Sequence, residues 1–380
     1  MAKRFEMRVE EVPRGQRVEL LLKGEHVSGL IINDLQMRVG RAVVHMGGIG
    51  GVHTDRKHRM KGYSRRVTEY SNEYMLQRGY DISLLFGIPN FYQKFGFACC
   101  LPTYKLTLTT RIVEQGLAAG AGARRPSAKV RRAGKKDFAR IRAIYNRGYA
   151  DRTGTVVRPV NWRGFRMGSS WGSKTAVFVV IDARNRVLAY AGFDDRDDAI
   201  NVFELAGDSR TYPTLLSALV REAVRKRVES INVLLPPDDR FTVYARRFGG
   251  NLQVTCHHAG GGMARVINLV TLLQKLEAEL TARLAGSKLT RARSSFTLET
   301  DIGAVTVTVR DGRVTTSAKG RGAKTVAVIP HNVLSQLLFG FRTVADVASD
   351  AGVHVPTKLR PLLDALFPFH WAYVSRPDYF

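Results

Sequence analysis

The sequence predicts an α/β chain of the α+β kind, made of three successive units built on mixed sheets. Three observations carry this reading. Residues 43–97 run as strand, basic turn, amphipathic helix, strand and aromatic loop. Residues 128–235 repeat much of that order, and from residue 269 a helix leads into strands and then further helices. The implied boundaries are 1–115 for the first unit, 116–127 for a linker, 128–268 for the second unit and 269–380 for the third.

In the first unit, 5–12, 18–22, 27–37 and 42–54 read as successive strands of an antiparallel meander, with glycine and charged residues at the turns. Only Pro13-Arg14-Gly15-Gln16 separates the first two strands. Small and β-branched residues along 43–54 suit a strand whose backbone is approached closely. The basic turn from Arg59 to Arg65 feeds an amphipathic helix over about 63–78. After Gly79, 82–86 reads as a short buried strand, followed by an aromatic loop and a final strand over about 104–110.

The Gly/Ala/Pro stretch from Gly116 to Pro126 reads as a linker with poor packing ability. The second unit then offers a strand at 128–132 and a helix at 136–149, with Phe138, Ile141, Ile144 and Tyr145 on one face. Strands follow at 175–181, 187–193 and 200–206, a helix at 214–227 and a strand at 230–235. In the third unit 272–284 reads as a helix, 296–309 and 314–316 as strands around Asp311-Gly312, 325–329 as a strand, and 333–339 and 343–349 as helices.

With 380 residues, 44% of them hydrophobic, the chain can bury several sizeable cores. Its opening residues carry no apolar stretch, so no secretory signal is expected. No run reaches the roughly 18–20 apolar residues of a membrane span. Cys99, Cys100 and Cys256 are too few for a disulfide framework, and a reducing cytoplasm is the expected compartment. The net charge is +26, and residues 101–150 hold twelve Lys/Arg against only Glu114 and Asp137. Such a stretch suits docking of nucleic acid or an acidic partner. It equally suits an arginine-rich surface with a solvated linker, which is favoured because no aromatic–basic alternation accompanies it.

The turn at 59–65 has the chemistry of an anion cradle. A helix start presents unpaired amide N–H groups at a positive dipole end, which suits a phosphate or pyrophosphate. Gly62 permits a positive φ there, and Arg59, Lys61 and Arg65 add charge. No G-x-x-x-x-G-K-[ST] motif occurs. Cys256-His257-His258 is not read as a metal site, since adjacent strand residues point to opposite faces and no further ligand pair is near. The acidic run from Asp194 to Asp198 lacks calcium-loop spacing and reads as a solvated hairpin tip. Tyr92 has two readings: a proton donor, since a phenol with pKa near 10 stays protonated at neutral pH, or one member of a packed cluster with Phe91, Phe95 and Phe97.

On these residues, 43–97 resembles the GNAT superfamily of acetyl-CoA-dependent N-acetyltransferases, whose pyrophosphate turn reads R/Q-x-x-G-x-G/A. Here it is Arg59-x-x-Gly62-x-Ser64, with strand, helix and Phe91-Tyr92-x-x-Phe95-Gly96-Phe97 at the matching offsets. The second unit resembles a degenerate GNAT copy, with Gly207-Asp208-Ser209-Arg210-Thr211-Tyr212-Pro213 where the pyrophosphate turn would sit. The third resembles the sterol-carrier-protein-like domain. Together they resemble the "enhanced intracellular survival" family of bacterial acetyltransferases.

That resemblance implies acetyl-CoA as co-substrate and no metal. It implies that Val52, His53 and Thr54 pair with the pantetheine arm, that Arg59, Met60, Lys61, Gly62, Tyr63, Ser64 and Arg65 hold the pyrophosphate, and that Gly87 and Ile88 flank the coenzyme's far end. Tyr92 would be the general acid and the terminal carboxylate of Phe380 the general base. A homo-oligomer, a hexamer by resemblance, is implied as well. Most GNAT members place two helices between the first and second strands; their absence here implies a more open acceptor side.

The expected activity is direct transfer of acetyl to a primary amine in a ternary complex, with a small-molecule amine or a protein lysine as acceptor. A basic chain repels polycations, which speaks against strongly cationic acceptors. The alternative is a non-catalytic scaffold or sensor that binds acetyl-CoA and lipid. Nucleic-acid association through residues 105–147 is the third reading.

Overall fold

The computed structural model describes residues 5–119, 128–162, 165, 175–196, 198–318 and 323–380. Strands β1 (Phe5–Val12), β2 (Gly15–Leu22), β3 (Glu25–Val39) and β4 (Ala42–Thr54) form the expected antiparallel meander. Helix α1 (Tyr63–Gln77) buries Val67, Ser71 and Met75, spaced four apart along one face. It leads to β5 (Ile82–Gly87), parallel to β4, and to β6 (Ala98–Leu101).

Successive residues of a strand face opposite sides, and in β4 this sorts the site. Gly47 and Ile49 face α1, where Met75 lies directly against Gly47. Met46, Gly48 and Gly50 face away from it.

The chain then builds a second seven-stranded sheet. Its elements are β7 (Thr103–Thr109), α2 (Thr110–Ala119), β8 (Lys129–Arg132), α3 (Phe138–Gly148), β9 (Ala176–Ile181), β10 (Val187–Asp194), β11 (Ala199–Gly207), α4 (Tyr212–Lys226), β12 (Ser230–Val233), α5 (Arg240–Ala245) and β13 (Asn251–Thr255). The strand order is β13-β7-β12-β11-β10-β9-β8. Strand β14 (Gly261–Val266) then returns to the first sheet, whose order is β1-β2-β3-β4-β5-β14-β6.

The structure departs from two expectations. The strand expected at 104–110 does not close the first sheet; as β7 it sits between β13 and β12 of the second. Pro102, between β6 and β7, lacks the N–H needed to continue the ladder, and the chain changes sheet there. The first sheet is completed instead by β14, whose glycines hide its strand character. They are needed for threading: a Cβ on Gly262 would meet the Leu101 side chain at 2.6 Å. The linker expected at 116–127 is also partly wrong, because Gly116 to Ala119 belong to α2. That helix buries Val113, and a Cβ on Gly116 would press into the Phe248 ring at 2.6 Å. Residues 120–127 lie outside the described residues.

The third unit comprises α6 (Leu269–Ala285), β15 (Ser294–Thr300), β16 (Gly303–Arg310), β17 (Arg313–Ser317), β18 (Val326–Val328), α7 (His331–Leu338), α8 (Val344–Val347) and α9 (Arg360–Leu366). Its strand order is β17-β16-β15-β18. Met46 and Leu84 of the first sheet share one core with Leu273, Leu276, Phe296 and Leu334, so this unit covers the face opposite α1. Among the described residues no helix is long and apolar enough to cross a membrane.

Candidate active site

The first sheet opens at one place. Parallel pairing of β4 with β5 runs from Met46↔Ile82 to Ile49↔Leu85 and stops, although β4 continues to Thr54. On its other side β4 bulges: the register with β3 jumps from Ile31↔Gly50 to Gly29↔His53, with Gly51 at φ +60°. Backbone from Gly50 to Thr54 therefore borders a cleft of about 840 Å³, shared with the start of α1, the end of β5 and the aromatic loop.

The turn that enters α1 combines a glycine cap with basic residues. Gly62 caps the helix at φ +79°, and no side chain bonds to the first amides. Met60 is likewise left-handed, at φ +61°, with its side chain fully exposed. Arg59 is held across the turn by donation of its Nε–H to the Thr54 carbonyl at 3.2 Å. Behind it, Ser28 donates to the His53 carbonyl at 2.9 Å, and His53 stacks on His26 with centroids 4.8 Å apart.

Tyr92 lies across the cleft on the loop after β5. Its ring sits over Gly87, where a Cβ would come within 2.5 Å of it, and meets Phe91 and Phe97 edge-on at 4.8 and 6.2 Å. Burial pushes its phenol above the ordinary value, so the proton is firmly held. Packing and cleft lining occur together in this one residue.

The last residue of the chain reaches the same cleft from the opposite face of the sheet. A Cβ on Gly50 would stand 2.7 Å from the Phe380 carboxyl carbon, and one on Gly48 would stand 2.7 Å from its ring. The buried Asn33 amide donates to the Gly48 carbonyl at 3.0 Å and fixes the strand beneath. Phe86 stacks on Tyr379 at 3.8 Å and meets Phe380 at 5.8 Å. Burial drives the Tyr379 phenol up to about 12.

The segment before it is anchored on the second sheet. Tyr104 donates to the Ala372 carbonyl at 2.7 Å, and the Tyr373 N–H to the Thr153 carbonyl at 2.9 Å. The Tyr373 hydroxyl donates to the Phe203 carbonyl and the Ser375 hydroxyl to Glu204. Arg376 donates to Asp194 at 2.8 Å. Asp194 is therefore no part of a solvated hairpin tip, as its position in an acidic run suggested. It is fully buried and bonded to Arg376 and Asn201, because the returning tail covers it. Asp197 lies outside the described residues.

Sequence reasoning missed Asn33, Phe86, Arg158 and Glu204. Only Glu204 left a signal: a single carboxylate in the apolar run 199–207 requires a buried partner. That partner is Arg158, whose Nη1 and Nη2 donate to the two Glu204 oxygens at 2.9 and 2.5 Å. No helix stands between β1 and β2, as expected, but other parts of the chain border that side. Val156 bridges to Met37 beyond the end of β2, and Gly154 close to it packs against Tyr373 of the tail.

Of the residues expected at a coenzyme site, Val52, His53, Thr54, Arg59, Met60, Gly62, Tyr63, Ser64, Arg65, Ile88, Tyr92 and Phe380 line the cleft together. Lys61 and Gly87 do not line it: the Lys61 amine donates back to the Lys57 carbonyl at 2.8 Å, and Gly87 lies under the Tyr92 ring. Residues 4–100 match the family described as acetyltransferase (GNAT) domain. The whole chain has the GNAT-like mixed α/β architecture. A GCN5-related N-acetyltransferase from Kribbella flavida superposes with TM-score 0.70 at 19% identity, covering 96% of this chain and 87% of that one. A protein from Enterococcus faecalis described as a probable N-acyltransferase gives 0.77 at 14% identity, with both chains fully covered. Eis1 from Mycobacterium abscessus gives 0.67 at 16% identity, covering 97% of this chain and 92% of that one. At such identities the likeness speaks for the GNAT-like fold. No curated protein matches the chain in sequence.

Proposed function

We propose that the chain is an acetyl-CoA-dependent N-acetyltransferase acting on a primary amine, either a small molecule or a protein lysine. The GNAT match supports acyl transfer broadly. The observation that carries the finer reading is the meeting of three groups at one gap in the sheet: the start of α1, whose first amides take no side-chain bond, Tyr92, and the Phe380 carboxyl against Gly50.

In this reading the α1 amides, with Arg59 and Arg65, hold the coenzyme's pyrophosphate, and β4 from Val52 to Thr54 pairs with its pantetheine arm. The Phe380 carboxylate takes a proton from the ammonium of the acceptor. The free amine attacks the thioester carbonyl, a C–N bond forms and the C–S bond breaks. Backbone N–H at the Val52 end of β4 stabilises the oxyanion, the Tyr92 hydroxyl protonates the departing thiolate, and the second proton leaving the new amide nitrogen restores the phenol. Holding both reactants across one gap supplies much of the acceleration. The second unit has no task with coenzyme here, since the Asp208 carboxylate already takes the Arg210 N–H at the corresponding turn. The sterol-carrier-protein-like reading of 269–380 and a hexameric assembly belong to the same proposal.

The test is amine-dependent thiol release from acetyl-CoA across an amine panel, for the native chain and for one extended beyond Phe380. Release from the native chain alone supports the reading. Coenzyme binding without release on any amine would replace it with the scaffold or sensor reading.

A further inference from the structure

Arg158, Glu204 and Asp378 are charged groups to which the acetyl-transfer reading gives no task. Their side chains are 0, 0 and 5% exposed. One guanidinium serves both carboxylates. Besides its two bonds to Glu204, Arg158 donates from Nε to Asp378 Oδ1 at 3.0 Å and from Nη2 to Oδ2 at 3.0 Å. The Tyr145 ring centroid lies 3.6 Å from the guanidinium carbon and that of Trp162 at 4.3 Å. Tyr190 completes the shell by donating to Glu204 Oε1 at 2.5 Å.

Such a cluster is a poor way to gain stability. Desolvating three charges offsets most of their mutual attraction, and apolar side chains of similar volume commonly serve as well or better. What an ionic cluster supplies is a fixed position, because a guanidinium fork donates to a carboxylate in few orientations. The position fixed is that of Asp378, two residues before Phe380. Two residues of extended chain span about 7 Å, so an anchor at this distance leaves little freedom at the terminus.

The partners also lie on a different sheet from the site. Glu204 is on β11, and Ser375 and Tyr373 bind the same strand. The carboxyl they lead to stands over β4 of the first sheet. We infer that the second sheet is the receptor for the C-terminal segment, and that Arg158 and Glu204 are positioning residues which, by holding Asp378, set where the Phe380 carboxylate stands over Gly50. The inference rests on the reading of that carboxylate as the base. It gives a duplicated unit without a coenzyme turn a part in building the site.

The experiment compares Asp378→Asn with the parent and with a Phe380 deletion. The asparagine keeps the size and the acceptor oxygen but removes the charge that Arg158 holds. Expected for Asp378→Asn is a fall of about tenfold or more in kcat for amine-dependent thiol release, since a displacement near 1 Å can cost about a hundredfold. KM for acetyl-CoA stays unchanged. A second readout needs no turnover: carboxypeptidase releases Phe380 from the folded variant about tenfold faster than from the parent. Glu204→Gln repeats both readouts should Asp378→Asn fail to fold. Parent-like kcat, or unchanged release of Phe380, overturns the latch. If deleting Phe380 abolishes turnover while Asp378→Asn does not lower it, the latch alone fails and the base stands. If deletion leaves turnover intact, the base reading fails and the latch falls with it.

Discussion

The carboxyl carbon of Phe380 stands 2.7 Å from the point that a Cβ on Gly50 would occupy. Real Cβ contacts are not this short, so Gly50→Ala must push the terminal residue off β4. Gly50 has no left-handed backbone, and the strand itself tolerates alanine. The expected outcome is a kcat about tenfold lower or worse, with coenzyme affinity retained. Steady-state kinetics beside direct coenzyme titration check it; unchanged kcat would remove this contact from the mechanism.

Tyr92→Phe keeps the ring that packs over Gly87 and removes only the hydroxyl. If that hydroxyl protonates the thiolate, kcat drops about 10²- to 10⁴-fold while KM for acetyl-CoA hardly moves. Because burial raises the phenol's pKa, the parent should show no loss of activity from Tyr92 ionisation up to pH 9. A Phe variant at parental speed leaves Tyr92 to packing alone.

Gly62→Ala isolates the turn. Nothing lies within 4 Å of the added methyl, so the penalty is conformational, about 1 kcal/mol for a side chain at φ +79°. The helix start should tilt or fray, and KM for acetyl-CoA should rise several-fold with the melting temperature little changed. A calorimetric titration of coenzyme distinguishes this from a loss of kcat.

His370 should make the protein acid-sensitive. Burial, opposed by the bond to the Pro368 carbonyl and helped by the nearby Arg283 and Arg152 cations, lowers its pKa to about 4. Its Nε2 is buried without a partner among the described residues, so a proton there would be stranded. The unfolded chain, with His near pH 6.5, takes up a proton that the folded chain refuses. Stability from this group is complete above about pH 6.5 and is lost as pH falls towards 4, by an amount on the order of 2–3 kcal/mol. Urea unfolding of parent and His370→Gln at pH 7 and pH 4.5 measures it: the parent should lose more than the variant on acidification. Equal losses would exclude His370.

Local chemistry made one side of the cleft readable in the sequence. The Arg59-x-x-Gly62-x-Ser64 turn, the start of α1 at Tyr63 and the placement of Tyr92 all follow from residues within one short stretch. What stayed hidden depends on distance along the chain. Nothing near Thr103 shows that it will pair with Thr255, and nothing near Arg158 shows that Asp378 will come to it. Glycine also misleads, since Gly116 reads as linker but lies inside α2, and Gly261 and Gly262 mask the strand character of β14. Asp194 misled by company, since its acidic neighbours suggested water while the tail that buries it comes from Arg376.

The return of β14 to the first sheet has a bearing on how the chain must be made. Strand β5 ends at Gly87, and its neighbour begins only at Gly261. Translation at about 5–20 residues per second puts roughly 10–30 s between the two. Throughout that interval the apolar strand from Ile82 to Phe86 leaves the ribosome with one flank unpaired, the kind of edge that invites sticking to other chains. A truncated gene product ending near residue 100 would inherit the same defect permanently. It would carry every residue of the turn from Arg59 to Arg65 and still lack the strand that makes its sheet continuous.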